Sequence, residues 1–128
     1  MNEIKIEIQI QRPLVEVFAF TINPKNTPKW VHSIVIEETS EWPVKVGTIY
    51  RSKNKAGDWS ELVLTAFEEN KMFTLTKKEN KYHVTYIFTP INPDLTELEY
   101  IWVDNGELKE TYIQTLVDNL KSVMESEV

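Results

Sequence analysis

Polar and apolar residues alternate strictly at the start of the chain, with Ile4, Ile6, Ile8 and Ile10 set against Glu3, Lys5, Glu7 and Gln9. This is the two-residue period of a strand with one buried face. Pro13 suits the first turn of a helix, and the stretch PLVEVFAFTI reads as one, ended by Asn23-Pro24. A second short helical piece, PKNTPKWV, closes with Trp30. From about residue 33 onward the chain reads as six further strands: SIVIEE, GTIYRSK, WSELVLTAF, MFTLTKK, YHVTYIFT and TELEYIWV. Pro, Gly, Asn or charged turns separate them. The inward phase is clear for Phe73 and Leu75, for Val84, Tyr86 and Phe88, and for Leu98, Tyr100 and Trp102. It is ambiguous in WSELVLTAF, where Trp59, Val63 and Phe67 compete with Leu62, Leu64 and Ala66.

The period changes near the C-terminus. Leu108, Tyr112, Ile113, Leu116, Val117, Leu120, Val123 and Met124 recur at steps of three and four, opposite Lys109, Glu110, Gln114, Asp118, Lys121 and Glu125. That predicts an amphipathic helix of about 20 residues, roughly 30 Å long. Asp104 is the expected N-cap, and Glu107, three residues on, would complete a capping box.

Strand, two short helices, six strands and one long helix make an α+β chain. Its seven-stranded antiparallel sheet has one face that needs cover, which only the C-terminal helix is long enough to supply. A twisted sheet curving around a helix meets it closely at the ends and less closely in the middle, leaving a space. The last two strands test the idea internally. A hairpin around PINPD that pairs Tyr86 with Tyr100 also pairs Phe88 with Leu98 and Val84 with Trp102, so all six large residues fall on one face.

Two hydroxyls then enter with that face, where Val or Leu would pack without a polar group to satisfy. Tyrosines suit the wall of a partly hydrated pocket, offering apolar area and one hydroxyl each; alternatively they pack under the helix and send their hydroxyls to the rim of the sheet. Tyr86, Tyr100, Tyr50 and Tyr112 are the candidates for the lining, and Tyr82, near a strand end, is expected at the rim.

Composition narrows the chemistry. At 128 residues the chain has the size of one domain and can bury a real core. A net charge of −6 argues against general binding to nucleic-acid backbones. No cysteine is present, which excludes disulfides, thiolate nucleophiles and cysteine-held metals. With two histidines a histidine-rich metal site is not expected, and with three glycines neither is a phosphate-cradling loop. No metal and no cofactor are therefore anticipated. The N-terminus has neither a basic leader nor a long apolar run, so a cytoplasmic protein without integral membrane association is expected.

His83 lies on the strand face opposite Tyr82, Val84 and Tyr86. His32, near Trp30 at the expected pocket mouth, is the weak candidate for a catalytic proton carrier, against the plainer reading of an exposed loop histidine. Glu61, Arg51, Glu97 and Glu99 are expected to face solvent, and Trp42 to pack or to cap an open end of the sheet.

The order of elements, with Asn23-Pro24 and Trp30 between the first two strands and Val46-Gly47-Thr48 opening the third, resembles the START-like, Bet v 1-like helix-grip superfamily. Within it the bacterial polyketide cyclase/dehydrase and lipid-transport group is the most similar. The resemblance spans residues 1–128 as one START-like domain and implies a sheet gripping the C-terminal helix around a pocket for a hydrophobic, lipid-like molecule. Carried onto this chain, the pocket would draw on Trp30, Tyr50, Leu64, Phe73, Tyr86, Tyr100, Tyr112 and Leu116. Three functions stay open: a non-enzymatic binder or carrier, which the missing catalytic groups favour; a cyclase or dehydratase acting on a polyketide-like chain; and a protein-interaction module. Homodimerisation through outward apolar residues such as Ile101 and Val103 is a further expectation.

Overall fold

The structure, a computed structural model of the chain, describes residues 2–106 and 108–126. In chain order it contains β1 (Asn2–Ile10), α1 (Leu14–Ile22), a 3-10 turn (Pro24–Asn26), α2 (Thr27–Trp30), β2 (Ile34–Thr39) and β3 (Ile49–Asn54). These are followed by β4 (Trp59–Glu68), β5 (Met72–Lys77), β6 (His83–Asn92), β7 (Leu95–Asp104) and α3 (Glu110–Ser126). The strands form one antiparallel sheet in the order β1-β7-β6-β5-β4-β3-β2. This is the α+β helix-grip arrangement the sequence pattern predicts, with the short helical pieces between β1 and β2.

Register follows the side-chain pattern where alternation is unbroken. Tyr86 pairs with Tyr100, Phe88 with Leu98 and Val84 with Trp102. β1 then extends the inner face, Ile4 opposite Trp102, Ile6 opposite Tyr100 and Ile8 opposite Leu98.

Three register shifts interrupt the ladders: one between Pro90 and Asn92 at the β6–β7 turn, and two farther into the sheet that exchange its faces. In β4, Leu64 pairs with Leu75 but Ala66 with Thr74 and Phe67 with Phe73, so Thr65 is an extra residue. Both competing phases are therefore real: Leu62 and Leu64 turn inward before the bulge and Phe67 after it. In β2 the register shifts between Ile34 and Ile36, with Val35 as the extra residue. Glu37 rather than Ile36 then joins Ile34 on the inner side, and Ile36 is left 46% exposed.

The helices divide the inner face into a packed half and an open half. Phe18 of α1 meets Phe67, Phe73 and Phe88 edge to face, with ring centroids 5.2–5.9 Å apart. α3 buries Ile113, Leu116, Val117, Leu120 and Met124 and lies over β1 and α2. Asn119 Nδ2 donates to Trp30 O at 3.3 Å, and the last turn is pinned where Gln11 N donates to Glu125 Oε2 at 2.8 Å. That backbone donor, together with Lys121, holds the Glu125 carboxyl below its usual range.

Three details differ from the expected pattern. α3 has 17 residues, about 26 Å, and begins at Glu110. Asp104 does not cap it, because its carboxylate is taken by Trp102 Nε1 (2.7 Å) and the backbone N–H of Gly106 (2.6 Å). Gly106, at φ +88°, then turns the chain away from helical geometry, so Leu108 packs from the connecting segment and Tyr112 falls in the first helical turn rather than the second. Glu107 lies outside the described residues. The predicted single piece PKNTPKWV is a 3-10 turn followed by one α-helical turn, the first started by Asn23 Oδ1 accepting from Lys25 N at 3.0 Å.

Candidate ligand-binding site

Between the sheet, α2 and the N-terminal half of α3 lies a cavity of about 340 Å³. The α1 plug fills the other end of the inner face, and α3 crosses toward β1, so nothing covers the segment formed by β3, β5 and β6 as closely. All five tyrosines of the chain line this cavity, and none of the five phenylalanines does. The division follows from hydration: rings in the dry half have no use for a hydroxyl, whereas rings on a wall that can hold water or a ligand can satisfy one.

The tyrosines are not equivalent. Tyr50 Oη donates to Ile22 O at 2.6 Å, tying β3 to the last turn of α1, so its hydroxyl is committed to the scaffold. Tyr86 and Tyr100 are cross-strand partners in an edge-to-face pair with ring centroids 5.1 Å apart. Burial pushes the phenols of Tyr50, Tyr86 and Tyr100 well above their ordinary value, so all three are neutral donors at physiological pH. Tyr82 stacks on Trp102 at 4.6 Å and is part-buried against the cavity rather than confined to the rim. Tyr112 is 41% exposed and stands at the mouth.

Of the residues the sequence nominates, Trp30, Tyr50, Tyr86, Tyr100, Tyr112 and Leu116 come together on this wall. Leu64 and Phe73 do not reach it; both are fully buried in the layer behind, Phe73 stacked on Tyr86 at 4.3 Å. His32 is exposed, in the turn between α2 and β2, and outside the lining. Trp42 is 58% exposed beside α1 and outside the lining of this cavity. The indole Nε1 of Trp30 is buried and has no hydrogen-bond partner among the described residues.

Glu37 is the cavity-lining carboxylate that sequence reasoning misses. Plain alternation through SIVIEE gives no reason to single it out, and only the bulge at Val35 turns it inward. Its Oε1 accepts from Thr27 Oγ1 at 2.6 Å. Burial pushes its carboxyl up to about 7, against the opposing pull of that hydroxyl. It is close enough to Tyr50, Tyr82 and Tyr86 to raise their phenols as well. Elsewhere, Glu7, Glu97 and Glu99 gather carboxylate oxygens on the outer face, but Lys5 already stands 3.6 Å from Glu7 and 3.9 Å from Glu99.

This geometry defines a helix-grip protein with an internal cavity, and comparison with solved structures supports the fold. The Aha1 dimer from Colwellia psychrerythraea superposes with a TM-score of 0.76 at 15% identity, over 98% of each chain. The di-domain ARO/CYC protein BexL of the BE-7585A biosynthetic pathway gives 0.78 at 15% identity; the match covers 95% of this chain but 46% of that one. XoxI from Bacillus cereus gives 0.76 at 13% identity, over 98% of this chain and 97% of that one. The chain thus shares the helix-grip fold of these structures. No protein-family model and no curated protein sequence matches the chain. No helix among the described residues is long and apolar enough to cross a membrane.

Proposed function

We propose that this protein binds a small, largely apolar molecule in the cavity between the sheet and α3. The observation that carries the reading is the partition of aromatic residues: five tyrosines line about 340 Å³ of space while no phenylalanine does, Phe67, Phe73 and Phe88 clustering instead around Phe18. That volume is at the lower end of the roughly 300–1,000 Å³ typical of small-molecule sites, so the ligand is compact. Leu75, Val84 and Leu116 supply aliphatic area, and the Tyr86–Tyr100 pair supplies hydroxyls for a polar group. The likeness in fold to an ARO/CYC protein is compatible with an apolar or polyketide-like ligand.

Leu116→Trp tests the reading, because Leu116 projects from α3 into the cavity and an indole there would occupy it. A solvatochromic hydrophobic dye is expected to bind the wild type and to bind the variant at least about tenfold more weakly, with the far-UV circular dichroism unchanged. Equal dye binding by both proteins, with native mass spectrometry of freshly purified wild type showing no bound molecule, would refute it.

A further inference from the structure

We propose that the cavity selects a protonated amine: its ligand is a compact apolar molecule with one basic nitrogen, held by Glu37 and the surrounding aromatic faces. The inference rests on the binding function proposed above and deepens it. Among the described residues lining the cavity there is no Lys, Arg, His or Asp, and Glu37 is the one ionisable carboxylate. Its Oε1 is taken by Thr27 from α2, and its Oε2 has no hydrogen-bond partner among the described residues. Facing it are neutral groups: Thr27 from α2, Tyr50 from β3, Tyr82 from the segment before β6 and Tyr86 from β6. Glu38, its neighbour, points the other way, toward Arg51 at 3.6 Å on the outer face.

Such a lining treats ligand charge asymmetrically. An anionic headgroup would meet Glu37 with no cation among the lining residues to offset it, since Lys77, which donates to Ser60 Oγ at 2.7 Å, lines the neighbouring pockets instead; low local polarity increases that cost. A neutral headgroup gains only hydrogen bonds. An ammonium meets a carboxylate oxygen with no competing protein donor, and the aromatic side chains of Trp30, Tyr86, Tyr100, Tyr82 and Trp102 line the same space, where any ring face left open by stacking adds cation–π attraction. Tyr86 is ringed by Trp30 at 6.4 Å, Phe73 at 4.3 Å and Tyr100 at 5.1 Å, which fixes its face in place. The two oxygens of Glu37 thus divide their work, one positioned by the scaffold and one open to the cation.

Isothermal titration calorimetry at pH 8 with tryptamine and the primary amines from butylamine to octylamine, each beside its alcohol and carboxylate analogues, tests the proposal. The best-fitting amine is expected to bind at least about tenfold tighter than its alcohol, and its carboxylate more weakly than either. Glu37→Gln keeps the volume and an acceptor for Thr27; it should bring the amine to the level of the alcohol and leave the alcohol within about twofold. Glu37→Asp, which keeps the charge, should retain part of the preference and guards against a folding defect in the first variant. The preference should also shrink between pH 8 and pH 5.5 as the carboxyl protonates. Equal affinities for amine and alcohol in the wild type, or a preference that survives in Glu37→Gln, would overturn the amine assignment. If Leu116→Trp still abolished binding in that case, the cavity reading would stand alone. Failure of every compound in the series to bind would overturn both.

Discussion

The hydroxyl of Tyr50 offers a direct measure of how the cavity wall is held. Ile22 is the last residue of α1, so its carbonyl is one of those a helix end leaves without an intrahelical partner, and Tyr50 Oη supplies one at 2.6 Å in a buried position. Tyr50→Phe keeps the ring and removes the donor. The loss comprises the net hydrogen bond, about 1 kcal/mol, and the penalty of leaving a buried acceptor unpaired, about 1–3 kcal/mol for the whole perturbation. For a chain of this size each kcal/mol corresponds to roughly 3–5 °C, so the melting temperature should fall by about 3–15 °C, with the middle of that span expected. Urea unfolding followed by circular dichroism and by tryptophan fluorescence gives the free energy. Tyr112→Phe, at a 41% exposed site, is the control and should stay within about 0.5 kcal/mol of wild type. Because the Tyr50 hydroxyl is committed to the backbone, affinity for a cavity dye should be unchanged within about twofold. A Tyr50→Phe variant as stable as Tyr112→Phe would mean that water from the adjacent cavity replaces the phenol at Ile22, and the claim that this hydroxyl belongs to the scaffold would fail.

Three further outcomes are expected. Phe18→Ala removes the ring that meets Phe67, Phe73 and Phe88, and should cost about 3–5 kcal/mol in urea unfolding; a loss below about 1.5 kcal/mol would mean that the α1 end is not the packed half. Glu37 carries a folded pKa of about 7 against 4.5 unfolded, so the folded state binds its proton more tightly: its contribution is present below about pH 4.5 and lost as pH rises through 7. Partial solvation by the cavity trims the full linkage, leaving about 1–3 kcal/mol of stability lost between those pH values in wild type and absent in Glu37→Gln, as compared by urea unfolding at pH 5, 6, 7 and 8. Parallel pH profiles for the two proteins would show that Glu37 is solvated normally. Leu116→Trp, apart from blocking the dye, should change stability by less than about 1.5 kcal/mol if the added ring enters empty space, whereas a larger loss indicates an already filled interior.

Legibility of the fold in the sequence tracks the continuity of alternation. β1, β6 as far as Phe88 and the facing part of β7 alternate without interruption, and their phase, their pairing and the Tyr86–Tyr100 register follow from the side chains alone. The C-terminal helix is legible by its period, but its start is not. Leu108 keeps the helical spacing while Gly106, at φ +88°, and the doubly occupied Asp104 carboxylate hold the preceding chain in a turn. A spacing argument registers where apolar residues recur; it does not register that a capping side chain has been claimed by an indole N–H two residues earlier.

The candidate site is least legible where it departs most from regular structure, and the two facts share a cause. Each bulge adds one residue and exchanges the faces beyond it, so a pattern read across it averages two phases into none. At Thr65 the exchange brings Phe67 in to complete the phenylalanine cluster, which an observer of WSELVLTAF sees only as ambiguity. At Val35 it turns Ile36 out to 46% exposure and brings Glu37 in, placing a carboxylate among phenols where an isoleucine would otherwise have extended the core. Burying Glu37 costs stability at neutral pH, whereas Ile36 in the same place would have contributed it. A fold optimised for packing alone would remove the bulge at Val35. Its presence is intelligible if the carboxylate is needed in the cavity, because the ionised group recovers its burial cost only when a cation arrives.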